Sequence, residues 1–160
     1  MDPEEKHEGR DTVKIETARF GIVEVPNEKI IAMPHGLLGF QDKKRFCIFQ
    51  HKEGSPFFWY QSLDDPALAF VITNPWLFKP DYHVDPASAV NAMGWEGEPD
   101  RLPLECHVIV TIPRGMPEKM TANLIGPIVL HTERREAVQI VLPDDTTYSH
   151  KYPLAKQAAA

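Results

Sequence analysis

The residues best suited to acid–base chemistry are two adjacent carboxylates, Asp64 and Asp65, inside the aromatic-rich stretch "SPFFWYQSLDDPALAF". A paired acid and base in an apolar cleft would make an active site. Adjacent residues of a strand point to opposite faces, however, so the two would not converge on one substrate. In a turn, Asp-Asp-Pro has a local purpose: Asp accepts backbone N–H bonds and Pro66 presets φ for the corner. The spacing therefore predicts a hairpin corner between two aromatic strands. A dyad sharing one proton would need a carboxylate from a second segment, and nothing in the sequence identifies one.

Other chemistries fare no better. The seven histidines are His7, His35, His51, His83, His107, His131 and His150, and no two stand at the three-to-five spacing of a local metal site. Cys47 and Cys106 lie far apart among apolar residues and read as reduced core residues of a reducing compartment. No serine sits in a G-x-S-x-G elbow. Gly36 and Gly39 in "PHGLLGF" lack the preceding strand and following helix that phosphate binding requires, so they read as turn positions that permit close packing. No cofactor, metal or catalytic residue is expected, and the reading is of a protein that is not an enzyme. The alternative is a hydrolase or metal enzyme whose His/Asp site is assembled from distant segments.

Lys43, Lys44, Arg45 and Phe46 form the one cluster in which basic and aromatic residues adjoin as on RNA-stacking surfaces. A formal net charge of −6 argues against a nucleic-acid surface and for a basic protein partner, because complementary charge steers encounter. Binding is the function that remains.

The elements that must position these residues are short. The chain has 160 residues, enough for one domain with a real core, and 15 prolines and 9 glycines spread along it punctuate many brief segments. "VKIETARFGIVEV" alternates apolar and polar residues on both sides of Gly21, the mark of a hairpin. Further strands are predicted at Lys29–Met33, Arg45–Gln50, Phe57–Ser62, Ala69–Thr73, Cys106–Ile112, Ala122–Leu124, Ile128–Thr132 and Val138–Leu142. Only "PASAVNAM", Pro86–Met93, reads as a helix, with Pro86 in its first turn and Gly94 as its stop. The expected fold is mostly β, a small antiparallel β-barrel-like single domain with one or two short helices. Residues 1–12 are read as a flexible arm (Met1–Asp11 carries five acids against two bases), 13–154 as the β domain and 155–160 as a flexible tail. No stretch reaches membrane-span length and the charged start is no signal peptide, so the expected location is the cytoplasm.

The ordered set of segments resembles the FliW family of bacterial flagellar assembly factors. It is carried by "RFG" at Arg19–Gly21, "PHGLLGF" at Pro34–Phe40, "SPFFWYQSLDDPALAFVITNP" at Ser55–Pro75, "KPDY" at Lys79–Tyr82, "VIVTIP" at Val108–Pro113, "TANLIGPIVL" at Thr121–Leu130 and "QIVL" at Gln139–Leu142. His131 stands where the family usually has Asn, and Tyr152 where a basic residue or histidine is common. The resemblance implies a non-enzymatic β protein of the bacterial cytoplasm that binds flagellin before export and, when free, binds and antagonises the translational regulator CsrA. It implies no cofactor, no membrane and no direct nucleic-acid contact. Acidic Asp64, Asp65 and Asp81 are candidate contacts for a basic partner. Phe58 and Tyr60, or the aromatics of "NPWLF", are candidates to line a groove for an amphipathic flagellin helix. Tyr82 and Asn123, within matching segments, complete the partner-binding set.

Overall fold

The computed structural model describes residues 11–50, 52–143 and 147–154. The arm read at the N-terminus, except Asp11 and Thr12, and the tail at 155–160 lie outside them.

Alternation becomes structure first in the N-terminal hairpin of β1 (Thr12–Thr17) and β2 (Gly21–Pro26). Ile15, Thr17 and Val25 are buried while Lys14, Glu16 and Glu24 face solvent, as period-two patterning requires. Gly21, at φ 71°, makes the turn, and the Thr17 hydroxyl closes it by accepting from Phe20 N–H and donating to the Gly21 carbonyl, each at 2.8 Å.

Nine further strands form one sheet: β3 (Ile31–Ala32), β4 (Arg45–Gln50), β5 (Phe57–Ser62), β6 (Ala69–Thr73), β7 (Leu104–Thr111), β8 (Thr121–Ala122), β9 (Ile128–His131), β10 (Glu136–Gln139) and β11 (Tyr152–Pro153). β4, β5, β6 and β7 meander antiparallel. The first half of β7 then pairs with β9, β9 with β10, and β10 with β3, which returns to β4. Seven strands thus close a ring, and closure removes exposed edges. An odd ring cannot alternate direction all the way round. The expected all-antiparallel pairing therefore fails once, at the parallel contact of Glu136 with Ala32. β8 and β11 extend the sheet beside the far half of β7, so Tyr152 and Pro153 are paired residues and Leu154 is buried.

The strands predicted at Arg45–Gln50, Phe57–Ser62 and Ala69–Thr73 are observed with those bounds. Two are displaced. β8 stops at Ala122 because the Asn123 side chain folds the next residues into a turn, and β10 begins at Glu136, directly after Arg135 takes the left-handed conformation at φ 53°.

Inside the ring Phe46 stacks on Tyr60 at 4.6 Å, among Ile31, Met33, Leu37, Ile72, Ile128 and Leu130. Outside it, the hairpin covers Cys47 with Ile15 and Val25. On another side, α1 (Pro86–Met93) lays Ala89 and Val90 against Val129, Val138 and Ile140. Asp85 caps α1 by accepting from Ala87 N–H at 3.0 Å, and Gly94, at φ 70°, ends it. Trp95 then pins the connection to the ring: its indole N–H donates to Glu136 Oε1 at 2.8 Å and its ring meets His131 edge-on. No helix among the described residues is long and apolar enough to cross a membrane.

Candidate functional site

The Asp64–Asp65 stretch is a hairpin corner between β5 and β6, as the turn chemistry predicts. The two carboxylates do not meet on one substrate position, since each is engaged with its own piece of chain. Asp64 Oδ2 accepts from Lys44 N–H at 2.7 Å and Arg45 N–H at 3.2 Å, and Oδ1 accepts from the Arg45 guanidinium at 3.2 and 3.3 Å. Desolvation alone would raise the Asp64 pKa, but these hydrogen bonds together outweigh it and hold the carboxyl below its ordinary range. Asp65 Oδ1 accepts from Ala67 N–H at 3.0 Å, and the Ser62 hydroxyl accepts from both Asp64 and Asp65 N–H. The corner fastens the β4 start to the β5–β6 turn. Its Asp64 charge, at an exposed position, is already paired with Arg45.

Three more expected contact residues turn inward. Tyr60 is 1% exposed and donates its hydroxyl to Met33 Sδ at 3.0 Å. It shares the inner face of β5 with Phe58, but sits in mid-ring where no partner reaches it. Tyr82 is 3% exposed, its hydroxyl donating to the Leu124 carbonyl at 2.6 Å. Asn123 Oδ1 accepts from Ile125 and Gly126 N–H at 3.0 and 3.1 Å, forming the turn between β8 and β9. Asp81 remains exposed and pairs with Lys79 at 3.1 Å. The basic Lys43–Phe46 cluster offers no stacking surface, because Phe46 is fully buried and Arg45 is held by Asp64.

Phe58 leads elsewhere. It is half-buried, and together with Trp76 it lines an open groove of about 630 Å³. The groove follows from a proline. Pro75 has no N–H to continue the ladder, so β6 ends at Thr73, opposite Val108, while β7 has been running since Leu104. The sheet parts there. Leu104, Glu105, Cys106 and His107 form the floor with Val129. Val84 and Pro86 at the start of α1 make one wall, and Pro99, Asp100 and Leu102 another.

The groove is apolar with a few placed polar groups. His107 Nε2–H donates to Glu105 Oε1 at 3.2 Å, leaving Nδ1 buried without a hydrogen-bond partner. The bond from His107 holds the Glu105 carboxyl below the usual carboxylate range, so it is ionised at neutral pH. Burial pushes the neighbouring Cys106 thiol up to about 12, which keeps it protonated and non-nucleophilic. Across the described residues, no group of three or more His, Cys, Asp or Glu side chains is arranged to hold a metal. The segment from Asp81 to Glu105, which supplies most of the groove, carries six carboxylates (Asp81, Asp85, Glu96, Glu98, Asp100, Glu105) against the single Arg101. Much of the protein's net negative charge thus lies in one stretch of chain beside one apolar opening. That charge count was readable in the sequence; the parting of β6 from β7 was not.

Comparison with known proteins bears on this architecture. The sequence pattern of the FliW protein family matches residues 14–154. The flagellar assembly factor FliW of Alkaliphilus metalliredigens (strain QYMF) is 37% identical over 142 residues, spanning 88% of this chain and 85% of that protein. The FliW of Magnetococcus marinus (strain ATCC BAA-1437 / JCM 17883 / MC-1) is 38% identical over 144 residues, spanning 89% and 85%. A crystal structure of the flagellar assembly factor FliW superposes with a TM-score of 0.77 at 30% identity, covering 89% of this chain and 96% of that one. A family match over nearly the whole described chain, close relatives and a shared fold agree: the chain belongs to the FliW family of flagellar assembly factors.

Proposed function

We propose that this protein is a non-catalytic docking partner in the bacterial cytoplasm that holds flagellin before its export and, when free of flagellin, binds and antagonises the regulator CsrA. The observation that carries the reading is the groove. Flagellin presents helical, apolar terminal segments, and an amphipathic helix laid in an apolar groove is the economical way to recognise one. Phe58, Trp76, Leu102 and Leu104 supply the apolar surface for such a helix. The protonated Cys106 thiol at the groove floor fits binding better than turnover.

The regulator, a basic RNA-binding protein, is served by the acidic surface. Asp81, whose side chain is 81% exposed although it pairs with Lys79, is a better candidate contact than Asp64, 26% exposed and bonded to two backbone N–H groups as well as Arg45. A switch follows if one partner's occupancy lowers the other's affinity, a coupling that must be reciprocal in free energy.

The test uses purified protein, flagellin and regulator in pairwise and three-way mixtures, followed by calorimetry and gel filtration. Stable complexes with each partner, and flagellin displacing regulator, are expected. Absence of both complexes would sink the reading. Filling the groove with Leu102→Trp is expected to abolish the flagellin complex while leaving the melting temperature within a few degrees.

A further inference from the structure

The groove is apolar, yet its charged lining is of one sign. Asp100 stands on one wall and Glu105 on the floor, and His107, the remaining ionisable side chain besides the inert Cys106, is hydrogen-bonded to Glu105. Glu105 keeps 55% of its side-chain surface in solvent. An occupant lying over it removes that water. A purely apolar occupant would cover an ionised carboxylate and leave it only the bond from His107 and the more distant Arg135 charge, a net cost, and an acidic one would add repulsion from Asp100 and from Glu96 and Glu98 in the adjoining loop. A neutral donor would replace part of that water, but a cation restores most because it also offsets the charge.

We infer that the groove selects its occupant by charge: the segment it takes is an apolar helix carrying a lysine or arginine at the edge of its apolar face, placed to meet Glu105 with Asp100 behind it. This deepens the docking reading above and rests on it for the helical form of the occupant. Apolar contacts with Phe58, Trp76, Leu102 and Leu104 provide affinity for any amphipathic helix, whereas the two carboxylates decide which one is kept. His107 acts as a positioning residue, since its bond fixes the Glu105 carboxylate at the floor.

Three labelled amphipathic helical peptides test this, identical except for Lys, Gln or Glu at one boundary position. Binding is read by fluorescence anisotropy at low and at raised salt. The Lys peptide is expected to bind roughly fivefold to tenfold tighter than the Gln peptide, with the Glu peptide weakest, and the preference should shrink as salt rises. Glu105→Gln should remove the preference for Lys over Gln without lowering the affinity for the Gln peptide, and Asp100→Asn should reduce it in part. Equal binding of the three peptides, or a preference that survives Glu105→Gln, would overturn the inference. A parallel arm with flagellin separates this from the docking reading. If Leu102→Trp abolishes flagellin binding but Glu105→Gln and salt leave it unchanged, charge selection falls and the groove reading stands. If the Lys peptide is preferred while flagellin binds equally to the Leu102→Trp protein, charge selection stands and flagellin docks elsewhere.

Discussion

The corner at Asp64–Asp65 and the groove floor at Glu105 are both acidic, and both lie next to aromatic side chains, yet they do opposite things. At the corner each carboxylate serves the protein's own backbone: Asp64 takes two N–H groups and a guanidinium, Asp65 one N–H. At the groove, Glu105 has one internal partner, His107, and otherwise faces water. A carboxylate that satisfies backbone donors stabilises a fold. A solvated one above apolar floor is available to a partner. Sequence motif alone singled out the first, and geometry singles out the second.

Reactivity offers the largest test of that contrast. The Cys106 thiol lies at the groove floor, but burial has moved it to about 12, so alkylation at neutral pH should run at least about a hundredfold slower than in the denatured chain. An ordinary rate, measured by mass spectrometry, would mean the groove is chemically active and not only a docking surface.

Next in size is the effect of deleting the carboxylates on stability. Asp64→Ala leaves two backbone N–H groups and Arg45 without their acceptor, and should cost about 2 kcal/mol in chemical denaturation. Asp100→Ala should change stability by no more than about 0.5 kcal/mol, the norm for an exposed site. Equal losses would erase the distinction between the two regions.

Acid sharpens it further. Asp64 is held below its ordinary pKa in the folded state, so its contribution is fully present above the unfolded value, near 3.8, and is lost as pH falls through the lower folded value. The wild-type melting temperature should therefore drop more steeply below about pH 4 than that of Asp64→Ala. Parallel curves would show that the corner carboxylate contributes nothing to the acid limb. Glu105 is depressed chiefly by its bond from His107, with the Arg135 charge adding to it, and its side chain is 55% exposed, so Glu105→Gln should alter the acid limb least.

Much of the fold was legible because it is local. The strands around "RFCIFQ", "FFWYQS" and "AFVIT" announce themselves by β-branched and aromatic residues between turn formers, and α1 by Asp85, Pro86 and Gly94. What the residues could not convey was inside from outside. Phe58 and Tyr60 share a face by alternation, but only ring closure decides that Tyr60 is central and Phe58 reaches an opening. Tyr82 and Asn123 lie in segments that mark the family, yet they are there for internal hydrogen bonds. His131 likewise packs inward, with Nδ1 accepting from Arg134 N–H and its ring against Trp95.

The odd count of strands in the ring has a consequence for how the chain assembles. Six of its junctions join neighbours in a meander, a hairpin or a return, but the parallel one brings Ala32 to Glu136 and must close nearly the length of the domain. Loop closure of that span is entropically costly, and contacts distant in sequence form slowly. The junction rests on one residue pair, the bond from Ala32 N–H to the Arg135 carbonyl at 2.9 Å and the Arg135 guanidinium donating to the Lys29 carbonyl at 3.3 Å. It is the seam of the barrel, expected to form last and to open first. Hydrogen exchange should show the Ala32 amide losing protection before those of the β4–β6 meander.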